Sequence, residues 1–290
     1  MPELPEVETI ARGVDGRVRG DRIVNVWLSR YPQPFKTPRT RQIDGLTGRA
    51  ILAVHRTGKH IVFELGRRRE LSGRERMGGA DSAELALADA EWIVHLGMTG
   101  RLLVTGPENA IAPHTHARLK LESGRELRFE DARRFGRLEF RELVDRSVFS
   151  APGAEPLDID ARDFAALFRG RRLTIKAALL NQTLLAGVGN IYADESLFDA
   201  GIGPRRRSNR LTLEELERLR KALRRVLKRA ILRGGSSVSD YLDADGSRGH
   251  FQLEHCVYQR TGNPCRRCGT SIRRVIVAGR GTHYCPKCQT

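Results

Sequence analysis

The chain has 290 residues and a formal net charge of +16 at pH 7, with 51 lysines and arginines against 35 acidic residues. A chain of this length can form two domains with a sizeable core. Arginine accounts for 44 of the basic residues, and its planar guanidinium suits contacts with phosphates and base edges. The charge therefore indicates a polyanionic partner such as nucleic acid, although an arginine-biased genome with a basic, solvated surface would give the same count.

The hydropathy of the chain excludes the membrane-protein class and predicts a cytoplasmic protein. No apolar run approaches the ~18 residues that a membrane span requires, and the N-terminus does not resemble a signal peptide. Because disulfides are uncommon in the cytoplasm, the five cysteines need another explanation.

The chain begins MPELPEVETI, with two prolines and three glutamates in its first eight residues. Initiator methionine is usually removed before a small residue, which would leave Pro2 with a free secondary amine. An α-amino group has a pKa of about 7.7–8.0, so a useful fraction of it is an unprotonated nucleophile at neutral pH. The alternative is a frayed acidic N-terminus, as in many chains.

Residues 1–150 are predicted to form a mostly β domain behind one short helix. The helix over 5–14 has apolar residues at helical spacing and can lie on a sheet. The charged, glycine-rich segment 67–90 is predicted to be a long loop, either solvated or in contact with DNA. Eight β-branched segments are predicted as strands: RIVNVWL, AILAVHR, HIVFEL, WIVHLGM, RLLVT, ARLKLE, ELRFE and RLEF.

The segment APGAEPLDID at 151–160 is predicted to be a domain linker, and helical periodicity follows it. Short helices are predicted in LDIDARDFAALFRG, LTIKAALLN and NIYADESLFDAG. Thr212 and Glu215 form a capping box that opens a long helix, which Gly234 and Gly235 end. Its apolar stripe is predicted to be core packing and consists of Leu213, Leu216, Leu219, Leu223, Val226, Leu227 and Ile231.

Two CxxC pairs near the C-terminus predict a zinc ribbon. Cys265 and Cys268 are separated by sixteen residues from Cys285 and Cys288. Four thiolates leave no open coordination position, so the spacing predicts one structural Zn²⁺ that holds the intervening hairpin. A redox dithiol pair and incidental cysteines are the alternatives. Cys256 lies outside this spacing and is predicted to be a buried thiol.

Four shorter motifs are ambiguous when each is taken alone. GVGN before a helix can present backbone N–H groups to a DNA phosphate, with Asn190 as the N-cap. RRFG can supply an arginine and an aromatic wedge to a base stack, or be a salt-bridged turn with a core phenylalanine. TGKH places Lys59 in a tight turn, where a surface lysine is the default, and the methionine of HLGM is by default a core residue.

In this order along the chain, PELPEVET, TGKH, HLGM, RRFG, LLNQTLLAGVGNIYADESLFDAGIGP and VYQRTGNPCRRCGT…GRGTHYCPKCQ resemble the formamidopyrimidine-DNA glycosylases. These are bacterial 8-oxoguanine repair enzymes with lyase activity. The resemblance covers nearly the whole chain, and the main departure is the insertion at about 67–90.

The resemblance implies an α+β protein with DNA bound between two domains. An N-terminal antiparallel β-sandwich with an N-terminal helix would occupy 1–150, followed by the linker 151–160. A helix-two-turn-helix domain would occupy 161–254, with a loop at 234–251 that covers the flipped base. A zinc finger would occupy 255–290. The implied protein is a monomer in the bacterial cytoplasm, at the nucleoid, with no membrane partner.

The resemblance also implies the catalytic residues. Pro2 matches the nucleophile, and Glu3 matches the acid that assists sugar-ring opening and proton transfers. Glu6 matches a second, supporting glutamate. Lys59 matches the active-site lysine.

The remaining matches imply contacts with double-stranded DNA that contains oxidised purines. Arg133, together with Met98 and Phe135, would fill the gap left by the flipped nucleotide and would face the orphaned cytosine. The implied phosphate contacts are Lys176, Asn190 and Arg280.

Three other functions fit part of this pattern. The endonuclease VIII branch of the same superfamily removes oxidised pyrimidines, but it usually lacks the PELPEVET continuation and the RRFG loop. A non-catalytic zinc-containing DNA-binding protein would not need Pro2, Glu3 and Lys59. An RNA-binding ribbon protein would explain the charge and the cysteines but not the N-terminus.

Overall fold

The computed structural model describes most of the chain: residues 1–67, 87–144, 147–237, 244 and 246–290. Most of the predicted 67–90 loop and part of the 234–251 loop lie outside the described residues. The predictions for those two loops are therefore not addressed by the fold.

The N-terminal helix α1, Leu4–Val18, extends beyond both ends of the predicted 5–14 helix. It begins at Leu4 because the backbone N–H of Glu3 donates to the carboxylate of Glu6 over 2.8 Å in a capping box. Val7, Ile10 and Val14 are buried on the core side of the helix, as predicted. Packing against the sandwich fixes this helix, and with it the start of the chain.

Two four-stranded antiparallel sheets form a sandwich around one apolar core, so the predicted N-terminal fold is confirmed. One sheet has the order β1-β6-β7-β5 and the other β2-β3-β4-β8. All eight predicted strands are present. Their bounds are β1 Ile23–Leu28, β2 Ala50–Thr57, β3 His60–Gly66, β4 Ala90–His95, β5 Arg101–Thr105, β6 Thr115–Leu121, β7 Glu126–Glu130 and β8 Arg137–Glu142.

A second helix in this half, α2 at Arg39–Leu46, was not predicted from the sequence. Its residues are mostly polar, and a glycine lies in its last turn, so it has no apolar periodicity. Gln42 explains its position, because its buried side-chain amide donates to the carbonyls of Thr37 and Leu138. Tertiary hydrogen bonds therefore fix this helix in place of an apolar stripe.

The described residues of the C-terminal half form four α-helices around a second apolar core. The Thr212–Glu215 capping box is confirmed at the start of the long helix. The prediction that Leu213 belongs to the buried stripe is wrong, because this first helical residue is 74% exposed and faces solvent ahead of the packed turns. The bounds are α3 Ala161–Ala166, α4 Ile175–Leu180, α5 Asn190–Ala200 and α6 Leu213–Leu232.

The segment 151–160 is tied to the second core, since Ala154 exchanges backbone hydrogen bonds with Leu184 and Ala186. The C-terminal hairpin consists of β9, Arg273–Val277, and β10, Arg280–Tyr284. We propose the domain boundaries predicted from the sequence: a β-sandwich domain at 1–150, a linker at 151–160, a helical domain at 161–254 and a zinc finger at 255–290. Among the described residues, none of the helices combines the length and apolarity needed to cross a bilayer.

Candidate active site and zinc centre

A cleft of about 460 Å³ lies where the start of α1, the β2–β3 turn, the loop after β4, the start of α5 and the zinc hairpin meet. This volume is within the range of about 300–1,000 Å³ that is usual for ligand pockets. Segments from both halves of the chain thus form one site. It brings together seven of the predicted residues: Pro2, Glu3, Glu6, Lys59, Met98, Asn190 and Arg280.

The carboxylate of Glu3 occupies the N-terminus of α5. It accepts from the backbone N–H groups of Ile191 at 3.1 Å and Tyr192 at 3.4 Å. A Cβ on Gly189 would lie 2.3 Å from the Glu3 carboxyl carbon, so this approach requires glycine. The GVGN turn was predicted to present these N–H groups to a DNA phosphate. That prediction is wrong, because the protein's own carboxylate satisfies them and interacts with the positive end of the helix dipole.

Glu6 lies beneath Glu3 and is 2% exposed. Its Oε1 accepts from the backbone N–H of Ser236 at 2.7 Å and from the hydroxyl of Tyr192. Burial, and then the charge of Glu3, raise the pKa of Glu6 to about 7. Burial likewise raises the pKa of Glu3. A buried carboxyl group whose pKa lies near 7, beside a second carboxyl whose pKa is also raised, suits general acid–base chemistry.

Lys59 lies in the tight turn between β2 and β3, as predicted, but it is not a surface residue. It is 9% exposed, and its Nζ donates to the carbonyl of Val188 at 3.3 Å. Burial lowers the pKa of Lys59, and the negative charges of Glu3 and Glu6 oppose that shift. The lysine amine therefore lies inside the cleft, close to both carboxyl groups.

Asn190 is the first helical residue of α5 rather than its N-cap, which is Gly189. The capping prediction is wrong because the Asn190 amide donates instead to the carbonyl of Gly281 in the zinc hairpin, at 3.0 Å. Arg280, the residue before Gly281, is exposed and lines the same cleft. Asn190 and Arg280 are thus neighbours across the boundary between the helical segment and the zinc hairpin.

Lys176 is not available to a phosphate in this structure, which corrects the direct contact expected from the sequence. Its side chain is fully buried, and Nζ lies 2.6 Å from Oδ1 of Asp194. A buried cation needs a partner, and Asp194 supplies it within the helical segment. A lysine in the run TIKAALL carries no pattern that distinguishes this burial from exposure.

The three residues expected to fill a vacated base position lie on two adjoining loops. Met98 and Phe135 are 41% and 48% exposed, unlike core residues, and the Arg133 guanidinium lies 4.9 Å from the Phe135 ring centroid. Gly97 has a φ of +63°, and a Cβ there would lie 2.5 Å from the backbone nitrogen of Gly136. The HLGM and RRFG turns are therefore in contact, backbone against backbone.

Asp131 joins these two turns and was not identified from the sequence. Its carboxylate accepts from the Thr99 hydroxyl at 2.5 Å, from the backbone N–H of Arg133 at 3.2 Å and from that of Gly136 at 2.7 Å. Asp131 lies two residues before Arg133, which is the spacing of an Asx-type turn. That local signal could have identified the contact with Arg133, but not the contact with Thr99.

The four predicted zinc ligands form a compact cluster whose Sγ atoms all lie within 4.8 Å of one another. The Cys268–Cys285 and Cys265–Cys288 Sγ distances are 3.5 and 3.9 Å. A tetrahedral site with Zn–S bonds of about 2.3 Å requires S–S distances of about 3.8 Å. The donor set therefore fits one structural zinc. Cys256 lies outside the cluster, as predicted, but it is half-buried rather than fully buried.

Comparison with known proteins assigns this architecture to a family. A model described as the formamidopyrimidine-DNA glycosylase N-terminal domain matches residues 1–138, and the H2TH domain of the same family matches 151–241. A zinc finger found in FPG and IleRS matches 262–290. The formamidopyrimidine-DNA glycosylase of Solibacter usitatus is 43% identical over 293 residues, which cover 100% of this chain and 99% of that protein. The chain belongs to the formamidopyrimidine-DNA glycosylase family.

Other family members agree with this assignment. The formamidopyrimidine-DNA glycosylase of Moorella thermoacetica is 43% identical, covering 95% of this chain and 94% of its own. A Lactococcus lactis FPG mutant, solved with DNA containing Fapy-dG, superposes with a TM-score of 0.84 at 34% identity and full coverage of both chains. The matches confirm the predicted fold class and the zinc finger that carries the structural metal.

Proposed function

We propose that this formamidopyrimidine-DNA glycosylase excises oxidised purines, 8-oxoguanine and formamidopyrimidines, from duplex DNA and then cleaves the abasic site. The observation that carries the proposal is the meeting of Pro2, Glu3 and Lys59 in one cleft, with the exposed Met98 on its wall. Solved relatives include complexes with DNA containing Fapy-dG and carbocyclic 8-oxo-G. The enzyme acts as a monomer in base excision repair, at the nucleoid in the bacterial cytoplasm.

The first stage uses the secondary amine of Pro2 after Met1 is removed. A target base must leave the stack before its glycosidic carbon can be reached, which costs a few kcal/mol. Met98, Arg133 and Phe135 offset this cost by occupying the vacancy. The Pro2 nitrogen forms a bond to C1′, the bond from C1′ to the base breaks, and the base leaves with a proton.

The second stage follows from the substitution of the proline nitrogen. Opening of the C1′–O4′ bond, with a proton delivered to O4′ by Glu3, leaves a cationic iminium between Pro2 and C1′. The cation acidifies the C2′ hydrogen, whose removal expels the 3′ phosphate; a second elimination expels the 5′ phosphate. Lys59 and Glu6 support these steps, because the lysine amine lies beside the carboxyl groups in the cleft and burial raises the pKa of Glu6 to about 7, where it can exchange a proton.

A panel of lesions tests the proposed substrate class. Single-turnover excision is measured on matched duplexes that contain 8-oxoguanine, a formamidopyrimidine or an oxidised pyrimidine. We expect both oxidised purines to be excised at least about tenfold faster than the pyrimidine, equivalent to roughly 1.4 kcal/mol in the barrier. Equal or faster excision of the pyrimidine would assign the chain the activity of the endonuclease VIII branch.

Arg133 is expected to select the base opposite the lesion. A guanidinium has donors only, so it favours the O2 and N3 acceptors of cytosine, whereas adenine presents a donor at N6. A mismatched contact of this kind is worth roughly 1–3 kcal/mol, or about ten- to a hundredfold in rate or affinity. We expect faster excision of 8-oxoguanine opposite C than opposite A, and Arg133→Ala to remove most of this difference.

Single-turnover rates for both pairings, in the wild-type enzyme and in Arg133→Ala, distinguish base reading from phosphate binding. Arg134 is the matched control: it is adjacent in sequence, and its guanidinium lies 5.1 Å from the Tyr31 ring centroid, whereas that of Arg133 lies against Phe135. Arg134→Ala should retain the preference for C. A parallel decrease of both rates in Arg133→Ala, with the preference intact, would show that Arg133 does not read the base.

A further inference from the structure

A buried ion pair connects the helical segment to the zinc hairpin. Lys176 on α4 and Asp194 on α5 have fully buried side chains, with Nζ and Oδ1 2.6 Å apart. Such a pair is weak evidence for stability, because desolvation of two charges can exceed their attraction. The role of the Lys176–Asp194 pair is therefore inferred from its other contacts.

Both members of the pair also contact strand β10. The second oxygen of Asp194 accepts from the backbone N–H of His283 at 2.8 Å. Nζ of Lys176 lies 3.4 Å from the carbonyl oxygen of Gly281, which also accepts from the Asn190 amide at 3.0 Å. Gly281 and His283, which lie two residues apart on β10, are thus held against α4 and α5.

These attachments lie directly beside the two residues proposed to contact a phosphate. Arg280 immediately precedes Gly281 and lines the cleft. Asn190 lies one helical turn before Asp194 on α5 and also lines the cleft. The orientation of Arg280 relative to Asn190 therefore depends on the fit of β10 against Asp194 and Lys176.

We propose that Asp194 is a positioning residue, neutralised by Lys176, that joins Arg280 and Asn190 into a single phosphate-binding unit across the boundary between the helical segment and the zinc hairpin. The inference rests on the proposed action on duplex DNA. It assigns Lys176 a role behind the DNA surface in place of a direct contact. Asp194 touches no reacting atom and acts only through β10.

The test uses the full-length, zinc-loaded enzyme and a duplex with a tetrahydrofuran abasic analogue. Asp194→Leu combined with Lys176→Met removes both charges together, which avoids an unpaired buried charge. Each phosphate contact contributes about 0.9 to the slope of log Kd against log salt concentration. We expect the double variant to lower that slope by about 0.9, the contribution of one phosphate contact, and to bind roughly tenfold more weakly at physiological salt. KM for 8-oxoguanine DNA should rise more than kcat falls.

A double-mutant cycle gives the sharper result. Arg280→Ala should lower the salt slope by about one in the wild-type enzyme, but should have little further effect in the double variant, because its arginine is already displaced. Asp199→Asn is the matched control: Asp199 also joins α5 to the zinc finger, through Arg267 at 3.1 Å, but it is partly exposed and lies at the far end of the helix. That variant should keep the wild-type slope.

Thermal unfolding and zinc content are measured on every variant. A folded, zinc-loaded double variant with the wild-type slope, or full additivity with Arg280→Ala, would overturn the proposal. If the double variant does not fold, Asp194→Asn, which keeps the side-chain volume, is taken through the same cycle and judged by the same outcomes. Failure of the wild-type enzyme to bind the duplex would instead overturn the proposed function.

Discussion

Insertion of one glutamine between Met1 and Pro2 will abolish covalent trapping on DNA. The insertion prevents removal of Met1 and converts the Pro2 nitrogen into an amide, which is neither basic nor nucleophilic. With borohydride and an 8-oxoguanine duplex, the wild-type enzyme should give a stable adduct that mass spectrometry maps to Pro2. The variant should give none, even on a preformed abasic site, because the Pro2 nitrogen has lost its nucleophilicity.

Pro2→Gly is the matched control for this experiment. Glycine is also small enough for Met1 removal, so the variant keeps a free terminal amine, although its imine must be protonated to become cationic. It should therefore trap more slowly than the wild-type enzyme but measurably. An adduct that maps to Lys59, or a normal yield from the insertion variant, would exclude Pro2 as the nucleophile.

Replacement of Cys268 by Ser will release the metal and weaken DNA binding severely. Zinc contributes about 10–16 kcal/mol in zinc-finger peptides, so a hairpin that loses one thiolate is not expected to keep its fold. Arg280 lies on this hairpin, and its phosphate contact should be lost with the metal. We expect Kd for an abasic-analogue duplex to increase roughly 100-fold at physiological salt.

The control for this variant is Cys256→Ser, whose thiol lies outside the metal cluster, with its Sγ 3.7 Å from the carbonyl oxygen of Glu254. It should retain one zinc per chain by elemental analysis and bind DNA normally. Because Pro2 lies on the other half of the molecule, its amine should remain reactive in Cys268→Ser. Purified wild-type protein without zinc, or a Cys268→Ser variant with a full complement, would contradict the assignment.

Much of the fold follows from local patterns in the sequence. The eight strands alternate or cluster β-branched residues between turns, and the Thr212–Glu215 box marks the start of α6. The two CxxC pairs indicate a metal site because four thiolates at that spacing have few other uses. Helix α2 was missed because buried hydrogen bonds from Gln42 fix its position rather than an apolar stripe.

The residues of the candidate site could be identified from motifs, but the contacts between them could not. Glu3 and Ile191 are 188 residues apart in sequence, yet a hydrogen bond joins them. Lys59 is a typical surface lysine in its local context, and only the packing of β2 and β3 against the GVGN turn buries it. The contacts of Asp131 with Thr99 and of Asp194 with Lys176 had no signal in the sequence, because the partners come from distant segments.

The sequence by itself determined which groups are present: a proline after the initiator methionine, two glutamates three residues apart, a turn lysine, an arginine–phenylalanine loop and four metal-binding thiols. Backbone geometry and ligand chemistry are local properties, so short motifs encode them. Only the tertiary structure decided that Glu3, rather than a phosphate, occupies the N-terminus of α5, and that Lys176 is buried against Asp194. Burial and charge neutralisation depend on which groups meet through space, and that depends on how the two halves of the chain pack together.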